Sequence, residues 1–169
     1  MKHIKIYFDR NKYELEKFEI VKFGAYRFVG KSVYARAGMY CGKANFAGFI
    51  WDNSKWVFEK LDSMKEYAAE ETHDAAFLTW EKYCEKTRLL GYTVGRFMKA
   101  DTPVPDGMDY FDVAEGYVAQ GWFDKCDDGS QEGLVQDAIK EQGGYNIRSD
   151  RFMAEVGNGL GYYIACDKK

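Results

Sequence analysis

The hydrophobic positions of this chain change period in the same order twice. Phe23 to Tyr34 and Val113 to Phe123 are rich in aromatic and β-branched residues, each run is interrupted by a glycine, and both predict strands. A helical period follows each. After Asp52-Asn53-Ser54, which can cap a helix, come Val57, Leu61, Met64 and Ala68; after Asp128-Gly129-Ser130 come Leu134, Val135, Ala138 and Ile139, with Gly143-Gly144 as the stop. Trp56, at the start of the first helix, is expected in the core. Two further strands then close each half, at about 75–83 and 90–99 and at 151–156 and 160–166, with Asn158-Gly159 as a tight hairpin turn.

Each half therefore reads strand-helix-strand-strand. Trp80-Glu81 falls where Ala154-Glu155 falls, and Gly91-Tyr92 where Gly161-Tyr162 falls. Residues 38–51, with Gly38, Gly42 and Gly48 among Met39, Tyr40, Phe46, Phe49 and Trp51, occur in the first half only and read as a flexible aromatic loop suited to a lid. Both prolines, Pro103 and Pro105, lie in the connector 100–108 and make it stiff and extended. One helix and three strands are too few for a separate core. The expectation is a single α+β domain over 1–169, with repeats at about 16–100 and 109–169. The two pseudo-symmetric βαββ repeats would form one antiparallel sheet with two helices on one face and a central ligand groove.

Composition narrows the function. The chain has 169 residues, 46% hydrophobic and 30% charged, with a net charge of −3, so disordered and strongly basic nucleic-acid-binding classes are disfavoured and no direct nucleic-acid contact is expected. No run approaches a membrane span, and the charged N-terminus lacks a signal-peptide core, which predicts a cytoplasmic protein without a membrane partner. The four cysteines form no CxxC pair and there are two histidines, His3 and His73. Neither a metal site nor Cys-His catalysis is expected, and no phosphate loop is present, so no cofactor is predicted. Aromatics are the excess: Tyr, Phe and Trp make up 17% of the chain, enough for an aromatic-lined pocket as well as a core.

Three segments carry a resemblance. Gly91-Tyr92-Thr93-Val94-Gly95-Arg96, the connector Thr102-Pro103-Val104-Pro105-Asp106-Gly107-Met108-Asp109-Tyr110-Phe111 and Gly116-Tyr117-Val118-Ala119 resemble, in order and spacing, the GyrI-like small-molecule-binding family. This is also the effector-binding module of AraC-type and multidrug-responsive transcription regulators, similar in fold to SOUL proteins. The resemblance implies tandem βαββ units around a groove lined by aromatics, with a buried acid, that takes bulky and often cationic aromatic compounds. It also implies two alternatives: a hydrolase of reactive cyclopropane-bearing genotoxins, or a protein-interaction role such as inhibition of DNA gyrase through a separate protein partner. The chain reads as a free-standing member. Family members commonly close on a strand with an acid followed by Pro; Gly161-Tyr162-Tyr163-Ile164-Ala165-Cys166 has neither, which leaves Glu155 as the acid of the second half.

Strand alternation puts Met153 and Glu155 on one face and Phe152, Ala154 and Val156 on the other. A carboxylate among apolar groups is costly unless it meets a cation, so Glu155 is the candidate counter-charge or, in the hydrolase alternative, the general base. Glu81 is its candidate partner from the first half. Trp51, Trp80 and Trp122 are the candidate ring walls, each worth about 0.5–2 kcal/mol to a bound cation. Tyr92, Tyr162 and Tyr163 supply rings and hydroxyls, and Tyr163 would orient water or substrate if the site is catalytic.

Overall fold

The computed structural model describes residues 13–41, 43–70, 73–79, 86, 89–126 and 130–169. Among them, nine strands form one antiparallel sheet. They are β1 (Leu15–Phe23), β2 (Tyr26–Arg36), β3 (Ala75–Thr79), β4 (Leu89–Lys99), β5 (Asp109–Val113), β6 (Gly116–Phe123), β7 (Tyr145–Ile147), β8 (Met153–Val156) and β9 (Gly161–Lys168). The order is β1-β6-β9-β8-β3-β4-β2-β5, with the short β7 also on β9. Both predicted βαββ units are legible in it. Each contributes a hairpin, β3–β4 or β8–β9, and the hairpins meet at the centre where β3 pairs β8 from Ala75↔Val156 to Leu78↔Met153.

The outer strands hold a feature the sequence did not predict. β1 opens the first repeat yet pairs with β6 of the second, and β5 opens the second repeat yet pairs with β2 of the first. Each leading strand is joined to its own unit by two residues, Gly24-Ala25 or Ala114-Glu115. In a flat sheet, β1 and β2 would lie six strand spacings apart, about 29 Å. A two-residue link spans only about 11 Å. The sheet therefore has to curl until its two margins approach, although it does not close into a barrel.

The inside of the curl is filled by rings. Phe23 of β1 packs edge-on against Phe97 of β4, with centroids 5.2 Å apart, and Phe77 of β3 stacks on Phe28, Phe111 and Phe152 at 5.0, 5.0 and 5.4 Å. Val118, Ala154, Val156, Tyr163 and Ala165 complete this core. Gly30 and Gly95, in register on β2 and β4, permit a close backbone approach: a Cβ on Gly95 would sit 1.9 Å from the Val29 carbonyl oxygen. Gly121, the glycine of the corresponding strand in the second half, serves another purpose. It faces helix α3, where a Cβ would meet Val135 Cγ2 at 2.6 Å.

Among the described residues three α-helices cover the outer face: α1 (Phe46–Asp52), α2 (Lys55–Asp62) and α3 (Gln131–Gln142). α2 sets Val57 and Leu61 on Val29 and Met98; α3 sets Val135 and Ile139 into the core shared with Ala119, Met153, Tyr162 and Ile164. The segment read as a flexible lid is instead a 3-10 turn at Ala37–Met39 followed by α1, which adds a helix ahead of the expected α2. Its apolar residues Phe46, Ala47, Ile50 and Trp51 recur at helical spacing and pack on the sheet, and Asn45 Oδ1 accepts from the Gly48 amide at 3.3 Å; the glycines masked that period. Trp56 is not in the core but 45% exposed, because its neighbour Val57 takes the inward position on α2. The predicted strand 113–123 is two strands, broken at Ala114-Glu115 where the chain changes margin.

Gly95→Ala should therefore lower stability by more than about 3 kcal/mol, since backbone rather than a side chain blocks the new methyl. Trp56→Ala should change it by less than about 1 kcal/mol. Urea unfolding of both variants checks the contrast.

Candidate functional site

Glu155 lies on β8 between two neighbours of different size. Ala76 of β3 is directly opposite on one side and Tyr162 of β9 on the other. Cross-strand partners share a face, so Glu155, Ala76 and Tyr162 form one row on the helix-covered side, and Met153, Leu78, Tyr92 and Ile164 form the next. Ala76 presents only a methyl on the β3 side, and Glu155 is half-buried.

A chain of hydrogen bonds ties this acid to the first half. The Tyr92 hydroxyl donates to Glu155 Oε2 at 2.8 Å, and Trp51 Nε1–H donates to the Tyr92 hydroxyl at 3.0 Å. Helix α1, strand β4 and strand β8 are thus linked by three side chains. The rings are fixed from behind: Tyr40 stacks on Tyr92 at 5.0 Å and 22°, and Trp51 stacks on Phe58 of α2 at 5.7 Å and 9°. Tyr40 is held in turn, its hydroxyl accepting from the Ala35 amide at 3.0 Å and donating to the Leu90 carbonyl at 2.5 Å. Burial pushes its ionisation up to about 12.

Glu155, Met153, Tyr92, Tyr162 and Trp51 all belong to the helix-covered side of the sheet. Tyr163 and Trp122 do not join them. Tyr163 alternates to the inner face, 2% exposed, and Trp122 stands beside it with ring centroids 6.1 Å apart, against His73 at 5.0 Å. Glu155 and Tyr163 therefore sit on opposite faces. Trp80 and Glu81 lie outside the described residues. The register supplies another counterpart for Glu155: Leu78 faces Tyr92 as Glu155 faces Tyr162. The acid is on one side of the pseudo-dyad and a leucine on the other.

Phe58 and Ala76 escaped the sequence reading, and Tyr40 entered it only as part of the expected loop. A helical reading of Phe46, Ala47, Ile50 and Trp51 would have placed Trp51 over the sheet. A separate crevice of about 150 Å³ lies between α2 and β4, lined by Leu61, Ala68, Phe97 and Met98. Its one guanidinium, Arg96, is committed to Asp62 and Asp74 at 2.5 and 2.6 Å. Among the described residues no cluster of His, Cys, Asp and Glu could hold a metal, and no helix is long and apolar enough to cross a membrane.

No family model matches the sequence, and no curated protein does. Solved structures match the fold. An integron cassette protein from the mobile metagenome of Vibrio cholerae superposes with a TM-score of 0.50 and 9% identity, covering 93% of this chain and 99% of its own. The structure of SAV2435 bound to tetraphenylphosphonium gives a TM-score of 0.57 and 9% identity, covering 90% and 94%. At this identity the likeness is one of fold.

Tyr92→Phe removes both bonds of the relay and should cost about 1–2 kcal/mol. In a double-mutant cycle with Glu155→Gln the two changes should couple by about 0.5 kcal/mol or more, measured by urea unfolding; additive effects would mean the bond contributes nothing. Tyr40 makes stability pH-dependent at the alkaline end. Its ionisation is at about 12 in the fold and 10.0 without it, so its contribution is full below pH 10.0 and is lost as pH rises through about 12. Tyr40→Phe should flatten that limb of the stability profile.

Proposed function

We propose that this protein captures bulky hydrophobic aromatic cations on the helix-covered face, in the manner of the GyrI-like effector- and multidrug-binding modules that its sequence resembles. The observation that carries the reading is the Glu155 carboxylate, half-buried and hydrogen-bonded within a wall made by Tyr92, Tyr162 and Trp51. Rings without an acid would hold any flat apolar compound. An acid without rings would hold small inorganic cations, which stay better solvated in water. Together they select a charge spread over a large apolar body. The shared fold with SAV2435, whose structure holds tetraphenylphosphonium, supports this ligand class, since that ion is one positive charge inside four phenyl rings.

The contribution of Glu155 is sizeable. A cation about 5 Å from the carboxylate gains about 3 kcal/mol at an effective dielectric of about 20, before desolvation reduces it. Tryptophan fluorescence titrated with tetraphenylphosphonium and with neutral triphenylphosphine oxide tests the reading. Saturable quenching by the cation is expected, and Glu155→Gln should weaken it about tenfold or more while leaving the neutral compound within about threefold. Equal weakening of both would remove Glu155 as the counter-charge. Absence of quenching would remove the pocket and favour a protein partner, such as DNA gyrase. Mass spectrometry of the recovered compound separates capture from turnover: an unchanged ion supports capture, whereas a hydrated product from a strained cyclopropane would make Glu155 a general base and the protein a hydrolase.

A further inference from the structure

Strand β1 ends the sheet on one side, and among the described residues no strand pairs with its outer margin. The hydrogen-bond phase of that margin follows from its neighbours. The Phe123 amide donates to the Leu160 carbonyl at 2.8 Å, toward β9, and the Asp124 amide donates to the Glu14 carbonyl at 3.3 Å, toward β1. Alternation along β6 then gives its odd-numbered residues to β9 and its even-numbered residues to β1. Phe18 is opposite Gly121 and Ile20 is opposite Ala119, both odd. The backbone N–H and C=O of Phe18 and Ile20 therefore point outward.

We propose that a second copy of this chain pairs with this margin, β1 antiparallel to β1, with the two-fold axis at Phe18. The charge pattern selects that register. With Phe18 opposite the partner's Phe18, Lys17 falls opposite the partner's Glu19, and the reverse pair forms by symmetry. The neighbouring registers of the same hydrogen-bond phase are both penalised. Moving the axis to Lys17 sets Lys17 against itself, and moving it to Glu19 sets Glu19 against itself; like charges directly opposite are destabilising. Within one chain Lys17 and Glu19 already lie side by side, Nζ to Oε1 3.3 Å, and both are well exposed, at 63% and 43%. A single-sign edge repels every copy. This edge repels copies shifted one step either way and rewards, with two opposite-charge pairs, the arrangement centred on Phe18. Phe18 and Ile20, partly buried against the helix-side core, would extend that core across the joint.

A charge swap tests this on the intact chain. Sedimentation velocity from low to high micromolar concentration should show a monomer–dimer equilibrium for the wild type. Lys17→Glu and Glu19→Lys should each weaken it by about tenfold or more, and the double variant K17E/E19K should restore it. Thermal unfolding of each variant confirms that the exposed substitutions leave the fold intact. A monomer at every concentration overturns the proposal, as does dimerisation that ignores the single swaps or is not rescued by the double one.

Discussion

Two short links constrain everything else in this molecule. Gly24-Ala25 and Ala114-Glu115 each carry the chain from one margin of the sheet to the other, and two residues can do so only if the margins are brought together. Each half thereby lends its leading strand to the outer edge of the other half. Neither unit can complete its sheet alone. The curl that results divides the protein into an inner face with room only for side chains and an outer face with room for helices. Gly30 and Gly95 belong to the same constraint, because a methyl on either would collide with the facing backbone.

The two faces then take different chemistry. The inner one is filled mainly by Phe23, Phe28, Phe77, Phe97, Phe111 and Phe152, which need no hydrogen-bond partners, with Tyr163 and Trp122 beside them. The outer one carries Tyr40, Tyr92, Tyr162 and Trp51, rings with a polar atom at one end, together with Glu155. A half-buried acid and several hydroxyls are a cost to folding unless they satisfy one another, and the Trp51–Tyr92–Glu155 relay does part of that.

The sequence made the central architecture legible and left its margins hidden. Period and turn chemistry located the β3–β4 and β8–β9 hairpins and helices α2 and α3, because local rules govern them. The exchange of β1 and β5 between halves was not legible, since nothing local states which distant strand an edge will join. Helix α1 was missed because Gly42 and Gly48 argued for a loop more loudly than Phe46, Ala47, Ile50 and Trp51 argued for a helix. The placement of Glu155 with Met153 followed from alternation alone, and so could the separation of Tyr162 from Tyr163, adjacent residues of one strand that face opposite ways. Tyr92 as the hydrogen-bond partner of Glu155 required the register between the halves, which the sequence does not carry.

That register also explains why the site is lopsided. A perfectly doubled protein would set the same residue opposite Tyr92 and Tyr162. Here Leu78 stands opposite one and Glu155 opposite the other. Two acids a few ångströms apart in a half-buried site would repel, and one would be driven to hold its proton. A leucine at the counterpart position avoids this. Tyr92, opposite that leucine, reaches across and donates to Glu155. A carboxylate opposite one tyrosine and a leucine opposite the other make the two sides of the pseudo-dyad chemically unequal.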